Sequence, residues 1–137
     1  MNVVLDTNVL VAGLLTPHGP SGRILDLLLS GDLTPCLDDR IMAEYREVLA
    51  RAKFGFDPTQ IEAVLGYIEG EGLHVVATPL GVSLPDPDDH VFLEVAVAAG
   101  VERLITGNTR HFPAKSRRGI RVVDPREFIE QWPAKPR

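Results

Sequence analysis

Short apolar runs without alternation, each followed by a helical stretch, govern how this chain can fold. Val3, Val4 and Leu5 are consecutive, whereas a strand with one wet face would set a polar residue among them. Such continuity belongs to a strand buried on both faces, the condition of a parallel sheet covered by helices. Residues 35–37, 74–78, 104–106 and 120–123 supply four more strand candidates. Pro35, heading the second, suits a strand start or an edge. Strands separated by helices predict βαβ units, and so a three-layer α/β/α sandwich with a mainly parallel sheet of about five strands.

The helical stretches carry their own punctuation. Residues 9–15 form one, broken at Pro17, Gly19 and Pro20. Residues 23–30 form the next, with Ile24, Leu27 and Leu28 on one face and Gly31 placed to stop it in a left-handed conformation. Residues 40–52 bear an apolar stripe of Ile41, Tyr45, Val48, Leu49 and Ala52. Asp57, Pro58 and Gln60 open a further helix that carries Ile61, Leu65 and Ile68 and ends at residues 70–72. Asp88 or Asp89 opens another, Asp88 being the better cap, and Gly100 closes it. Asp124, Pro125 and Glu127 begin the last, which runs through Trp132. No internal repeat interrupts this order. Residues 1–132 are expected to form one domain, with residues 133–137 as a frayed tail.

Composition narrows the function classes. Of 137 residues, 45% are hydrophobic, enough for a real core, and 24% are charged, as in ordinary globular chains. A lone cysteine, Cys36, excludes an intrachain disulfide and a cysteine-ligated zinc. No apolar run approaches the roughly 18 residues of a membrane span. Asp6 arrives after a few apolar residues with no basic leader, unlike a signal peptide. A cytoplasmic protein without a membrane partner is the resulting expectation. The net charge of −5 disfavours nucleic acid, yet the distribution is uneven. Residues 101–137 hold nine of the 14 lysines and arginines but four of the 19 acids. An acidic body with a basic final quarter can hold a cation in one place and phosphates nearby.

In open parallel sheets, ligands bind beyond the carboxyl ends of the strands where strand order switches. Three polar clusters fall at such points: Asp6-Thr7-Asn8, residues 86–90, and Thr106-Gly107-Asn108. Each acid has a plain alternative. Asp6 would serve as a helix cap, with Asn8 close enough to orient it. Glu44 sits at the rim of its helix's apolar stripe, and would be paired with Arg40 at i−4 or bound to a cation. Asp88 and Asp89 suit a helix dipole. Asp89, however, shares the side of Phe92, Leu93 and Ala96, which turns it toward the sheet edge. Converging carboxylates repel in a low dielectric, and a divalent cation resolves the repulsion. Oxygen ligands favour Mg²⁺ or Mn²⁺ over zinc.

Four segments in order resemble the PIN-domain nucleases that supply the toxin of many prokaryotic toxin–antitoxin pairs. They are Val3-Val4-Leu5-Asp6-Thr7-Asn8-Val9, Ala43-Glu44-Tyr45-Arg46-Glu47-Val48-Leu49, the stretch 85–96 from Pro85 through Asp89 to Ala96, and Leu104-Ile105-Thr106-Gly107-Asn108. The resemblance implies a metal-dependent endoribonuclease acting on single-stranded RNA. It places the metal-holding and catalytic acids at Asp6, Glu44 and Asp89, the last chosen by its seven-residue spacing to Ala96. A fourth acid is usual where this chain has Asn108. That residue offers the metal a neutral oxygen at most and puts a strong second ion in doubt. Asn8, Thr106 and Asp88 become supporting groups. Arg110 and His111 would hold the RNA backbone, with Lys115, Arg117 and Arg118 extending the basic track. The resemblance also implies a small antitoxin and a homodimer. Two rivals stay open: a PIN-like module that binds RNA or a partner without cleaving, and a phosphatase-like hydrolase or phosphoacceptor domain. Against the rival hydrolases stand Asn8, where a phosphatase would carry a second Asp, and the absence of a Lys directly after Thr106.

Overall fold

A computed structural model describes residues 1–133 of the chain. Its sheet has five parallel strands: β1 (Asn2–Leu5), β2 (Thr34–Leu37), β3 (Leu73–His74), β4 (Arg103–Ile105) and β5 (Val122–Val123). Their order across the sheet is β3-β2-β1-β4-β5. All pairings are parallel, with Val3 opposite Pro35 on one side and Arg103 on the other. Val3, Val4 and Leu5 are at most 1% exposed, as their unbroken apolar run requires. Six α-helices complete the three-layer sandwich: α1 (Thr7–Leu15), α2 (Pro20–Leu29), α3 (Asp39–Leu49), α4 (Pro58–Glu71), α5 (His90–Ala99) and α6 (Pro125–Glu130). Helix α5 packs on β1, β2 and β4, α3 lies against α4 and α5, and α2 joins α1 to α6.

Local chemistry sets most of the helix ends. Asp38, Asp57 and Asp124 each accept a hydrogen bond from a first-turn N–H of α3, α4 and α6. Gly31, at φ +86°, closes α2: its N–H reaches the Leu28 carbonyl while that of Asp32 reaches Leu27. Gly22 lets α2 approach the preceding loop, since a Cβ there would lie 2.0 Å from the Pro17 carbonyl oxygen.

Several boundaries differ from the sequence reading. Helix α2 starts at Pro20, not residue 23, because that proline occupies the first helical turn, where its missing N–H costs nothing. Helix α1 starts two residues before Val9. Helix α3 stops at Leu49, since Arg51 is extended and residues 52–54 form a separate 3₁₀ turn. Strand β3 ends at His74 instead of residue 78. Its partner β2 ends at Leu37, where Asp38 turns away to cap α3, so only the Val75 N–H still reaches the Leu37 carbonyl. Val76 beyond it is 93% exposed. Strand β5 begins at Val122, not residue 120, after the left-handed pair Arg118 and Gly119. Helix α6 ends at Glu130, and Trp132 folds back to stack on Phe128 with ring centroids 5.7 Å apart. Of the expected frayed tail only Pro133 is described; residues 134–137 lie outside the described residues. No helix among the described residues is long and apolar enough to cross a membrane.

Candidate metal centre

The chain runs β1 to β2 to β3 in one direction across the sheet, then returns to β4 and continues to β5 in the other. The switch falls between β1 and β4, where parallel sheets open a crevice at their carboxyl ends. Asp6 directly follows β1 and Thr106 directly follows β4. The Asp6 N–H donates to the Ile105 carbonyl at 2.9 Å, which fixes its backbone to that edge. Asp6 occupies the N-cap position of α1, yet its carboxylate makes no capping bond. Instead Oδ2 accepts from the Thr106 hydroxyl at 2.8 Å and from Asn8 Nδ2 at 3.4 Å. Asn8 is tied in turn by the Gly107 N–H, which donates to its Oδ1 at 3.0 Å. Asn8 and Thr106 thus both reach the Asp6 carboxylate through their side chains.

Glu44 sits on α3 at the edge of the stripe formed by Ile41, Tyr45 and Leu49 and is half-buried. Its Oε2 accepts a hydrogen bond from the Thr7 hydroxyl on α1. The alternative pairing with Arg40 is absent. That guanidinium is held by Asp38 and by Glu94 of α5, at 2.7 and 2.8 Å. Next along α3, Tyr45 is buried and donates from its hydroxyl to the Leu5 carbonyl at 2.6 Å. The helix bearing Glu44 is therefore pinned to the strand that Asp6 follows.

A 3₁₀ turn, Pro87–Asp89, leads into α5. Its cap is Asp86, whose Oδ1 accepts from the Asp88 N–H at 2.9 Å. This corrects the expected cap: Asp88 is exposed and caps nothing. The pattern Asp86-Pro87 repeats Asp57-Pro58 and Asp124-Pro125, and that repetition marks the cap in the sequence. Asp89 is buried, as its i−3 and i−4 relation to Phe92 and Leu93 predicts. Its Oδ2 lies 3.0 Å from His111 Nδ1. Ligand atoms of Asp86, Asp89 and His111 all lie within 4.8 Å of one another. His111 belongs to a 3₁₀ turn, Thr109–His111, just past Asn108. The Asn108 N–H donates to the Thr106 hydroxyl oxygen, and Asn108 Nδ2 lies against His111 Nε2, both at 3.0 Å.

Burial and mutual repulsion raise the affinity of these carboxyls for protons. Asp6 is pushed up chiefly by burial, against the pull of the Thr106 hydrogen bond. Glu44 is pushed up by burial and by the charges of Asp6, Asp88 and Asp86. Asp89 is raised to about 6 by burial, then by Asp6 and Asp86, with His111 opposing. These groups feel one another and share one electrostatic environment. A divalent cation would relieve the cost of holding them ionised together.

The basic residues of the final quarter divide. Arg110, Lys115 and Arg118 are exposed. Arg117 is half-buried and donates from Nε to the Phe112 carbonyl at 2.7 Å, so it braces its own turn. His111, expected on the RNA backbone, faces the acids instead. Sequence reasoning did not single out Asp86 or Tyr45 for the site. It also passed over Glu94, which is buried and held by Arg40 and the Leu80 N–H.

The family model for the PIN domain matches residues 2–110. No curated protein matches the chain. Among solved structures, VapBC2 from Rickettsia felis bound to a DNA fragment from its promoter aligns with 17% identity and a TM-score of 0.58, covering 90% of this chain and 98% of that one. FitAcB from Neisseria gonorrhoeae aligns with 20% identity and the same TM-score, covering 90% and 97%. FitAB bound to an IR36 DNA fragment aligns with 19% identity, again at 0.58, covering 90% and 94%.

Proposed function

The chain belongs to the PIN domain family, and from that premise we propose that it is a metal-dependent endoribonuclease that hydrolyses single-stranded RNA. The observation that carries the reading is that Asp6, Glu44 and Asp89 all have carboxyls pushed above the ordinary range, with the charge of Asp6 raising both of the others. Buried or half-buried acids with no lysine or arginine among their hydrogen-bond partners in the described residues are a poor structural device but a suitable cradle for a hard cation. The donor set therefore fits Mg²⁺ or Mn²⁺, which Asp6, Glu44 and Asp89 would hold. Such an ion supplies charge relief at the scissile phosphate and lowers the pKa of a bound water.

The chain's own residues do the remainder. Thr106 and Asn8 orient the Asp6 carboxylate, and Thr7 orients that of Glu44. One of these acids accepts the proton of the attacking water. Arg110, Lys115 and Arg118 draw the RNA backbone toward the edge, and the acidic body sets where the cation rests. A small antitoxin and a second copy of the chain are the proposed partners, the former supported by the two-component complexes among the solved structures of the same fold.

Cleavage of single-stranded RNA by rigorously purified protein tests the reading. Activity is expected with Mg²⁺ or Mn²⁺, and loss is expected on chelation and in Asp6→Asn. Cleavage that survives both would overturn it. One observation favours a second reading, an RNA- or partner-binding module: Asn108 stands where the family usually has an acid. That reading predicts RNA binding without cleavage under every metal condition.

A further inference from the structure

We propose that His111 is a metal ligand in this chain, coordinating through Nδ1 beside Asp86 and Asp89, and that Asn108 is the residue that positions its ring. The proposal rests on the reading of the site as a divalent-metal centre and names ligands which that reading does not contain.

The geometry is specific. His111 Nδ1 and Asp89 Oδ2 are 3.0 Å apart, and Asp86, Asp89 and His111 each offer a ligand atom within 4.8 Å of the other two. In an octahedron with ligand distances of about 2.1 Å, adjacent ligand atoms lie about 3.0 Å apart, so that spacing is also the edge of a coordination shell. Asp86 keeps an oxygen for the ion, because Oδ1 alone is spent on the Asp88 N–H.

The far side of the ring is also accounted for. An imidazole that binds metal through Nδ1 carries its proton on Nε2, and ligating histidines almost always give that proton to an oxygen. Asn108 Nδ2 lies 3.0 Å from Nε2. An amide presents oxygen or nitrogen according to how it is turned. Turned over on metal binding, the Asn108 amide would set its oxygen toward the ring and accept the Nε2 proton. The Asn108 backbone is fixed for this task by its N–H, which donates to the Thr106 hydroxyl oxygen at 3.0 Å. An aspartate at position 108 would compete for the ion; an asparagine can orient the histidine three residues on. The missing fourth acid and the histidine in the same turn are therefore one feature. The chain exchanges an oxygen ligand for a nitrogen ligand.

The exchange has a chemical consequence. Imidazole nitrogen suits later first-row ions, whereas Mg²⁺ prefers oxygen, so the site would favour Mn²⁺ over Mg²⁺ more strongly than an all-oxygen site does.

Electron spin-echo spectroscopy of Mn²⁺ bound to the full chain tests this, with titration calorimetry fixing the stoichiometry. Modulation from a directly coordinated ¹⁴N is expected in the wild-type protein, and its loss in His111→Ala. That substitution is expected to weaken Mn²⁺ binding by roughly tenfold or more, and Mg²⁺ binding by less. Bound Mn²⁺ without ¹⁴N modulation overturns the ligand assignment and leaves the nuclease reading standing. Failure of the wild-type protein to bind Mn²⁺ at all overturns both. The wild-type spectrum alone decides the ligand, so the test does not depend on how the variant folds.

Discussion

The Thr106 hydroxyl donates to Asp6 Oδ2 at 2.8 Å, joining the ends of two adjacent parallel strands whose residues are 100 positions apart in the chain. The same hydroxyl oxygen accepts from the Asn108 N–H, which leaves its single proton for Asp6. Thr106 thus sets the orientation of one carboxylate and the path of the turn that carries His111. Thr106→Val keeps the shape and removes both bonds. It is expected to weaken Mn²⁺ binding roughly tenfold or more, whereas Thr106→Ser stays within about threefold. Calorimetry checks this, and equal losses in the two variants would deny the hydroxyl its role.

A pH dependence follows from Asp89. Its folded carboxyl is raised to about 6, mainly by burial, above an ordinary aspartate value of about 3.9. The folded state therefore binds more protons than the unfolded state between these values, and the slope of stability with pH is negative there. The favourable contribution is fully present below about pH 4 and is lost as pH rises through about 6. Asp6 and Glu44 are shifted in the same direction. Thermal denaturation of metal-free protein in chelator is expected to show Asp89→Asn gaining most over wild type at pH 7 and least at pH 4. A difference that does not change with pH would contradict the burial argument.

Tyr45 offers a purely structural test. Its buried hydroxyl donates to the Leu5 carbonyl, so Tyr45→Phe removes one hydrogen bond and leaves the ring packing. A loss of about 1–2 kcal/mol in chemical denaturation is expected. Mn²⁺ stoichiometry is expected to hold at the wild-type value, because the hydroxyl's proton is given to a main-chain carbonyl. Loss of the ion in a folded Tyr45→Phe protein would show that the anchor of α3 is part of the site.

What was legible in the amino-acid sequence depended on range. The unbroken run Val3-Val4-Leu5 disclosed a doubly covered central strand, since burial on both faces leaves no room for alternation. Asp57-Pro58 and Asp124-Pro125 disclosed helix starts because caps are made within four residues. Asp6, Glu44 and Asp89 were named from strand ends, stripe edges and the ordered resemblance to a family. Beyond reach were contacts set by how elements pack. Nothing local tells that Arg40 would leave Glu44 for Glu94, 54 residues away. Nor does it tell that a 3₁₀ turn would swing His111 from the solvent side toward Asp89. The end of β3 lies beyond local reading for the same reason: a strand lasts only as long as its neighbour, and β2 stops at Leu37.

The central claim, that Asp6, Glu44 and Asp89 hold one divalent ion between them, is tested most directly by anomalous diffraction near the manganese edge from crystals soaked in Mn²⁺. The account predicts a peak at the carboxyl ends of β1 and β4, within ligand distance of the Asp6 and Asp89 carboxylates and bonded to Glu44 directly or through a water. A soaked crystal with no peak there, those three carboxylates being open to solvent, would contradict it.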